Sequence, residues 1–208
     1  MIKMLKKEII EEVTKSGIDI DGLIEGTYKE PVIEVYNCHE WDHGYYGGSG
    51  YNGTRREFYE DLREMTAFLY KYMNECNIKE VIIAPLHRGE IFAWKGDMKK
   101  DEGYSDIYIE VMEFLKKNNI GKYTQSGVKI AIDSNMKIIE MILEGAYRHV
   151  ITLCLFFPEK AVMIEPTHHF NLEFFMKNFE REKKIITNLI KNHQNLRYYE
   201  SLPPFEMY

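Results

Sequence analysis

The sequence lacks a long apolar run, an excess of basic residues and a framework of cysteines. Its longest apolar stretch, residues 150–157, is much shorter than the about 20 residues that a membrane-spanning helix needs. The net charge is −6, whereas binding to nucleic acid requires clustered Lys and Arg. Only three cysteines occur, Cys38, Cys76 and Cys154, and they lie far apart. We therefore expect neither a membrane protein, nor a nucleic-acid-binding protein, nor a disulfide scaffold.

The amino-terminal residues also lack the pattern of a secretory signal. Glutamates alternate there with Ile9, Ile10 and Val13, so no continuous apolar segment forms. This pattern predicts a cytoplasmic location. The 208 residues are 45% hydrophobic and 29% charged, a composition typical of globular proteins, and we predict one globular domain spanning residues 1–208.

Alternating strand and helix patterns predict a mixed α/β (α+β) fold. We expect a mixed, largely central sheet of about five or six strands covered by about five helices. Near the carboxyl end, residues 149–165 read as a β-hairpin whose first strand is central, because that strand is apolar on both faces. A long helix is predicted to begin at Asn171, and residues 195–208 are predicted to form an extended tail.

The strongest helix signal begins at Thr54. Thr54 and Glu57 have the spacing of a capping box, and apolar residues follow at every third or fourth position. Phe58, Leu62 and Met65 belong to this stripe. The pattern predicts a long helix that packs against the sheet.

Residues 37–53, NCHEWDHGYYGGSGYNG, form an unusual segment that is rich in glycine and tyrosine. Its glycines predict a loop. Five side chains of types that bind zinc or iron occur within six residues: Cys38, His39, Glu40, Asp42 and His43. One hypothesis is therefore a divalent metal such as zinc, held by His39, Asp42 and His43, with His87 or His168 as further ligands after folding. The alternative is a polar surface loop without metal.

Known motifs match this segment poorly. The H-x-H-x-D-H pattern of metallo-β-lactamase-like hydrolases aligns only at Asp42 and His43, so we do not assign that family. Residues 48–53 fit G-x-G-x-x-G, but about ten residues separate them from the preceding strand, whereas dinucleotide-binding folds place the glycines directly after it. A nucleotide-binding role is therefore disfavoured.

The aromatic residues of the loop suggest contact with a ligand or partner. Tyrosine and tryptophan supply a large contact area at a small cost in side-chain entropy. We predict that the contact residues are Trp41, His43, Tyr46, Tyr51 and, from a separate strand end, Arg88.

Two functions remain open at this point. The first is a cytoplasmic protein-binding or inhibitory protein, of the kind that includes immunity proteins, which binds another protein of basic character and carries no cofactor. The negative net charge and the aromatic content favour it. The alternative is a metal-dependent hydrolase that uses the cluster Cys38 to His43.

Overall fold

The computed structural model describes residues 1–25, 28–38, 54–87, 90–91, 93–94, 105–132, 135–167 and 169–201. These residues form a large antiparallel sheet with helices on both faces. The strands are β1 (Ile2–Leu5), β2 (Val32–Asn37), β3 (Glu80–Ala84), β4 (Leu86–His87), β5 (Glu90–Ile91), β6 (Ser126–Ala131), β7 (Cys154–Phe157), β8 (Val162–Thr167), β9 (Asn171–Met176) and β10 (Leu196–Ser201). The helices are α1 (Lys6–Ser16), α2 (Ile20–Glu25), α3 (Arg55–Glu75), α4 (Ser105–Lys117), α5 (Met136–Tyr147) and α6 (Phe179–Ile190), and a short 3₁₀ turn covers Pro158–Lys160.

Eight of these strands form one sheet in the order β1-β6-β3-β7-β8-β9-β2-β10, and every neighbouring pair is antiparallel. β4 and β5 pair separately as a small hairpin. The strand β7 lies inside the sheet between β3 and β8, as expected for a central strand, but it begins only at Cys154, so residues 149–153 are not part of the predicted hairpin. All four of its residues are buried.

Helix α3 begins as the sequence predicts. The Glu57 carboxylate accepts the backbone N–H of Thr54 at 2.7 Å, and Thr54 Oγ1 accepts the backbone N–H of Glu57 at 3.3 Å. The buried face of the helix includes Phe58 and Leu69, which belong to the larger of two cores. This core also contains the inner faces of β2 and β9, so α3 covers one side of the sheet.

A smaller core lies on the other side of the sheet. There α1 contributes Ile9 and Val13, which pack with Ile82 of β3 and Phe156 of β7. Helix α1 ends at Gly17, where φ is +92°, a left-handed conformation that glycine adopts without a steric cost. No helix among the described residues is both long enough and apolar enough to span a membrane.

The structure confirms the mixed α and β fold and corrects its details. The main sheet has eight strands, all antiparallel, instead of a mixed sheet of about five or six strands. The prediction of a hairpin followed directly by a long helix is wrong, because β9 occupies Asn171–Met176 and α6 begins only at Phe179. Residues Ile2–Leu5 form strand β1, and the first helix begins only at Lys6.

Candidate functional site

The side chains singled out from the sequence lie largely outside the described residues. Those outside are the predicted contact residues Trp41, His43, Tyr46, Tyr51 and Arg88 and the predicted metal ligands His39, Asp42 and His168. The backbone of His87 lies in β4. Cys38 is described and half-buried, and its backbone N–H donates to the carbonyl of Asn195 at 2.7 Å.

The described part of the chain contains no group of three or more His, Cys, Asp or Glu side chains that could hold a metal ion. The cluster from Cys38 to His43 extends beyond that part. The metal site and the metal-dependent hydrolase therefore stay predictions from the sequence.

A row of polar side chains crosses the neighbouring strands β8, β9, β2 and β10 at one side of the sheet. Glu165 of β8 lies directly opposite Glu173 of β9, and Glu173 lies directly opposite Glu34 of β2. We call Glu34, Glu165 and Glu173 the acidic row. Tyr199 of β10 lies opposite Glu34 and continues the row to the last strand.

The alternation of side chains along each strand places these residues on one face. Successive residues of a strand point to opposite faces, so Glu34 and Glu173 point away from the face that carries Ile33, Val35 and Phe174. That apolar face packs against α3, where Tyr72 meets the ring of Phe174 with centroids 5.2 Å apart. The acidic row is half-buried on the opposite face.

Hydrogen bonds fix one end of the acidic row. The carboxylate of Glu34 accepts one hydrogen bond from the Tyr199 hydroxyl and another from the Asn171 side-chain amide. The rings of Tyr199 and Tyr36 lie 5.9 Å apart, and Tyr199 is 47% exposed. Two tyrosines therefore flank the carboxylate of Glu34 at the exposed end of the row.

The centre of the acidic row carries an unfavourable charge when it is ionised. Burial, and after it the neighbouring charges of Glu165 and Glu34, raise the pKa of Glu173 from 4.5 to about 8. Like charges on directly opposed residues of neighbouring strands destabilise the sheet. A positive group placed against the row would relieve this repulsion.

Two other buried polar groups have structural roles. Arg148, which is 2% exposed, donates to Asp106 at 2.8 Å and to Glu144 at 2.9 Å, and these ion pairs join the ends of α4 and α5. Glu182 of α6 is fully buried and accepts the hydroxyl of Tyr72 of α3 at 2.8 Å. Both groups connect helices at their packing interfaces.

The described cysteines of the core are not suited to nucleophilic chemistry. Burial and the carboxylate of Glu182 raise the pKa of the Cys76 thiol to about 11, and a thiol in this state is rarely ionised. Cys154 is fully buried in β7. Both residues fit their apolar sequence patterns as small core residues.

Local sequence motifs could not have revealed the acidic row, because its members come from distant parts of the chain. Glu34 is half-buried between the buried residues Ile33 and Val35, the alternation of a strand with one polar face. The helix predicted from Asn171 includes Glu173, whereas the structure places this residue in β9 between Leu172 and Phe174. The alternation of Glu173 with Leu172 and Phe174 is the sequence pattern that indicates a strand here.

Comparisons with protein-family models, with curated proteins and with solved structures found no match to this chain.

Proposed function

We propose that the chain is a protein-binding protein and that the acidic row, with Tyr36 and Tyr199 beside it, binds a basic surface of its partner. The observation that carries this proposal is the direct opposition of Glu165, Glu173 and Glu34 on three neighbouring strands. Tyrosine is enriched at the centres of protein interfaces, and complementary charge sets specificity and the association rate. An inhibitory role of the immunity-protein kind would use the same surface.

The spacing of the acidic row suits several basic side chains better than one metal ion. Neighbouring strands lie about 4.8 Å apart, so the strands that carry Glu165 and Glu34 lie about 9.6 Å apart. Oxygen ligands of one calcium ion all lie about 2.4 Å from the metal, which requires them to converge on one point. A row of lysine or arginine side chains from a partner matches the extended arrangement.

Neutralising the row tests this proposal. The probe is a ten-residue peptide that alternates lysine and threonine, titrated calorimetrically into the wild-type protein and into a triple variant, Glu34→Gln, Glu165→Gln and Glu173→Gln. A matched variant carries Glu11→Gln, Glu60→Gln and Glu113→Gln, three exposed positions outside the row. Because Glu173, with its pKa of about 8, is largely protonated at neutral pH, the row variant loses less net charge than the matched variant.

We expect the affinity to fall about tenfold or more in the row variant and less than about twofold in the matched variant. An equal loss in both variants would show that the peptide responds to net charge alone. That result would overturn the proposal, as would the absence of binding to the wild-type protein.

A further inference from the structure

We propose that the partner binds as an extended segment that adds to the outer edge of β10 as an antiparallel strand. This inference rests on the proposed function and names how the partner is held. A strand added to a sheet edge gains affinity from main-chain hydrogen bonds and specificity from alternate side chains. The backbone of β10 and the position of Glu34, one strand inside this edge, support this mode of binding. The strands of Glu173 and Glu165 lie about 14 and about 19 Å from an added strand, so they meet basic groups of the partner outside that strand.

β10 is the last strand of the main sheet, and within the described residues only β2 pairs with it. In an antiparallel pair, directly opposed residues alternate between those that exchange hydrogen bonds and those that do not. The N–H of Cys38 donates to the carbonyl of Asn195 at 2.7 Å, and these two residues continue the register of β2 and β10. Arg197 and Tyr199 therefore direct their backbone groups toward β2.

The intervening residues of β10 direct their backbone groups away from β2. These residues are Leu196, Tyr198 and Glu200. The carbonyl of Leu196 accepts the Arg197 side chain at 2.8 Å. Tyr198 and Glu200 thus present a row of backbone donors and acceptors with the spacing of an added strand.

The opposite edge of the sheet is less suited to this role. β1 has four residues, whereas β10 has six. The backbone N–H of Leu5 is already bound by the carboxylate of Glu8 at 2.6 Å.

The side chains of β10 indicate which sequence the edge prefers. Arg197 and Tyr199 point to the face that carries the acidic row. A partner residue opposite Tyr199 would extend the row by one strand, where a lysine or arginine lies over the tyrosine ring and near the carboxylate of Glu34. In the alternating lysine and threonine probe the next residue on this face is also a lysine and lies opposite Arg197, so this register includes one like-charge contact.

Backbone methylation of the peptide probe separates strand addition from simple electrostatic attraction. Lysines on the row face of an added antiparallel strand direct their N–H groups away from β10, whereas the threonines direct theirs toward it. Two peptides of equal charge and composition, one methylated on threonine nitrogens and one on lysine nitrogens, are compared by calorimetric titration. We expect threonine methylation to weaken binding about tenfold and lysine methylation to change it less than about twofold.

A pair of protein variants tests the same hydrogen bonds from the other side. Glu200→Pro removes an outward backbone N–H, and proline is tolerated at a sheet edge where the N–H faces solvent. Glu200→Ala is the matched control, because it removes the same ion pair with Lys183 and keeps the N–H. We expect a loss of about tenfold in the proline variant only, with circular dichroism checking that both variants are folded.

Equal binding of the two methylated peptides would overturn strand addition and leave the proposed function in place, and so would a greater loss on lysine methylation. If the triple variant Glu34→Gln, Glu165→Gln and Glu173→Gln binds the peptide as tightly as the wild type, the proposed function itself is overturned. If the proline variant does not fold, the peptide comparison alone decides.

Discussion

Glu173 of β9 lies directly opposite Glu34 of β2, and Glu165 of β8 lies directly opposite Glu173 on its other side. Three acidic side chains thus share one line across the sheet on its half-buried face. Such an arrangement costs stability when all three are charged. Such repulsion between carboxylates is compatible with a binding surface, because a basic partner neutralises the charges when it binds.

The first prediction concerns pH. Glu173 has a pKa of about 8 in the folded protein, above its ordinary value of 4.5, so the folded state keeps a proton that the unfolded state loses. The contribution of this group to stability is therefore fully present below about pH 4.5 and is lost as the pH rises to about 8. The glutamine side chain of Glu173→Gln does not ionise, so its contribution to stability does not change with pH. We expect this variant to gain about 1 to 3 kcal/mol relative to the wild type between pH 5 and pH 8.5, measured by urea unfolding.

The control for this measurement is Glu113→Gln on the exposed face of α4. Its stability difference from the wild type should stay nearly constant over the same pH range. A Glu173→Gln difference that is equally constant would contradict the position assigned to this carboxylate.

The second prediction concerns the core beneath α3. Leu69 is fully buried between the helix and the sheet, so Leu69→Ala leaves a cavity. We expect a loss of about 2 to 5 kcal/mol in the free energy of unfolding. Arg63→Ala, an exposed position on the same helix, should change stability by less than about 0.5 kcal/mol. A loss below about 0.5 kcal/mol at Leu69 would be incompatible with this packing.

The third prediction concerns the turn between β7 and β8. Ala161 has φ +53° and ψ +48°, the left-handed region that glycine occupies without a steric cost. We expect Ala161→Gly to stabilise the protein by about 0.5 to 1 kcal/mol in thermal or urea unfolding. Ala67→Gly, in the exposed middle of α3, should have the opposite sign and cost about 1 kcal/mol. Equal signs would refute the conformation of the turn.

The fourth prediction separates the proposed function from the metal hypothesis. Binding of the lysine and threonine peptide should survive exhaustive dialysis against EDTA, because the carboxylate of Glu34 contacts the peptide without a metal ion. Binding that disappears on chelation and returns with zinc would instead favour the hypothesis based on His39, Asp42 and His43. In that case His43→Ala should abolish the zinc response, and elemental analysis of the purified variant should show the loss of metal.

The sequence predicted local elements well where one pattern dominated. The capping box at Thr54 and the apolar stripe after it identified α3 because both signals depend only on neighbouring residues. The segment Asn171–Met176 carried two patterns at once. Leu172 and Phe175 fit helical spacing with Phe179, whereas Leu172, Phe174 and Met176 recur at every second position, as in a strand. Pairing with β8 and β2 decided for the strand, and that pairing is not visible locally.

The acidic row depends on the same long-range strand pairing. The cluster from Cys38 to His43 is recognisable in the sequence because its metal-binding side-chain types lie next to one another along the chain. The acidic row instead assembles Glu34 with Glu165 and Glu173 through strand register. Register between distant strands depends on the whole sheet, so single-sequence patterns could place Glu34 on an outward face but could not name its neighbours.

The position of β2 between β9 and β10 also governs when the protein can finish folding. Glu34 and its hydrogen-bond partner Asn171 are 137 positions apart, so a growing chain carries β2 without its neighbours through most of its synthesis. During that time the apolar side chains of Ile33 and Val35 have no sheet to join. Long-range strand pairing slows folding and exposes aggregation-prone surface. We expect refolding to be slow, and we expect a chaperone that shields apolar strands to raise the yield of native protein from a cell-free translation.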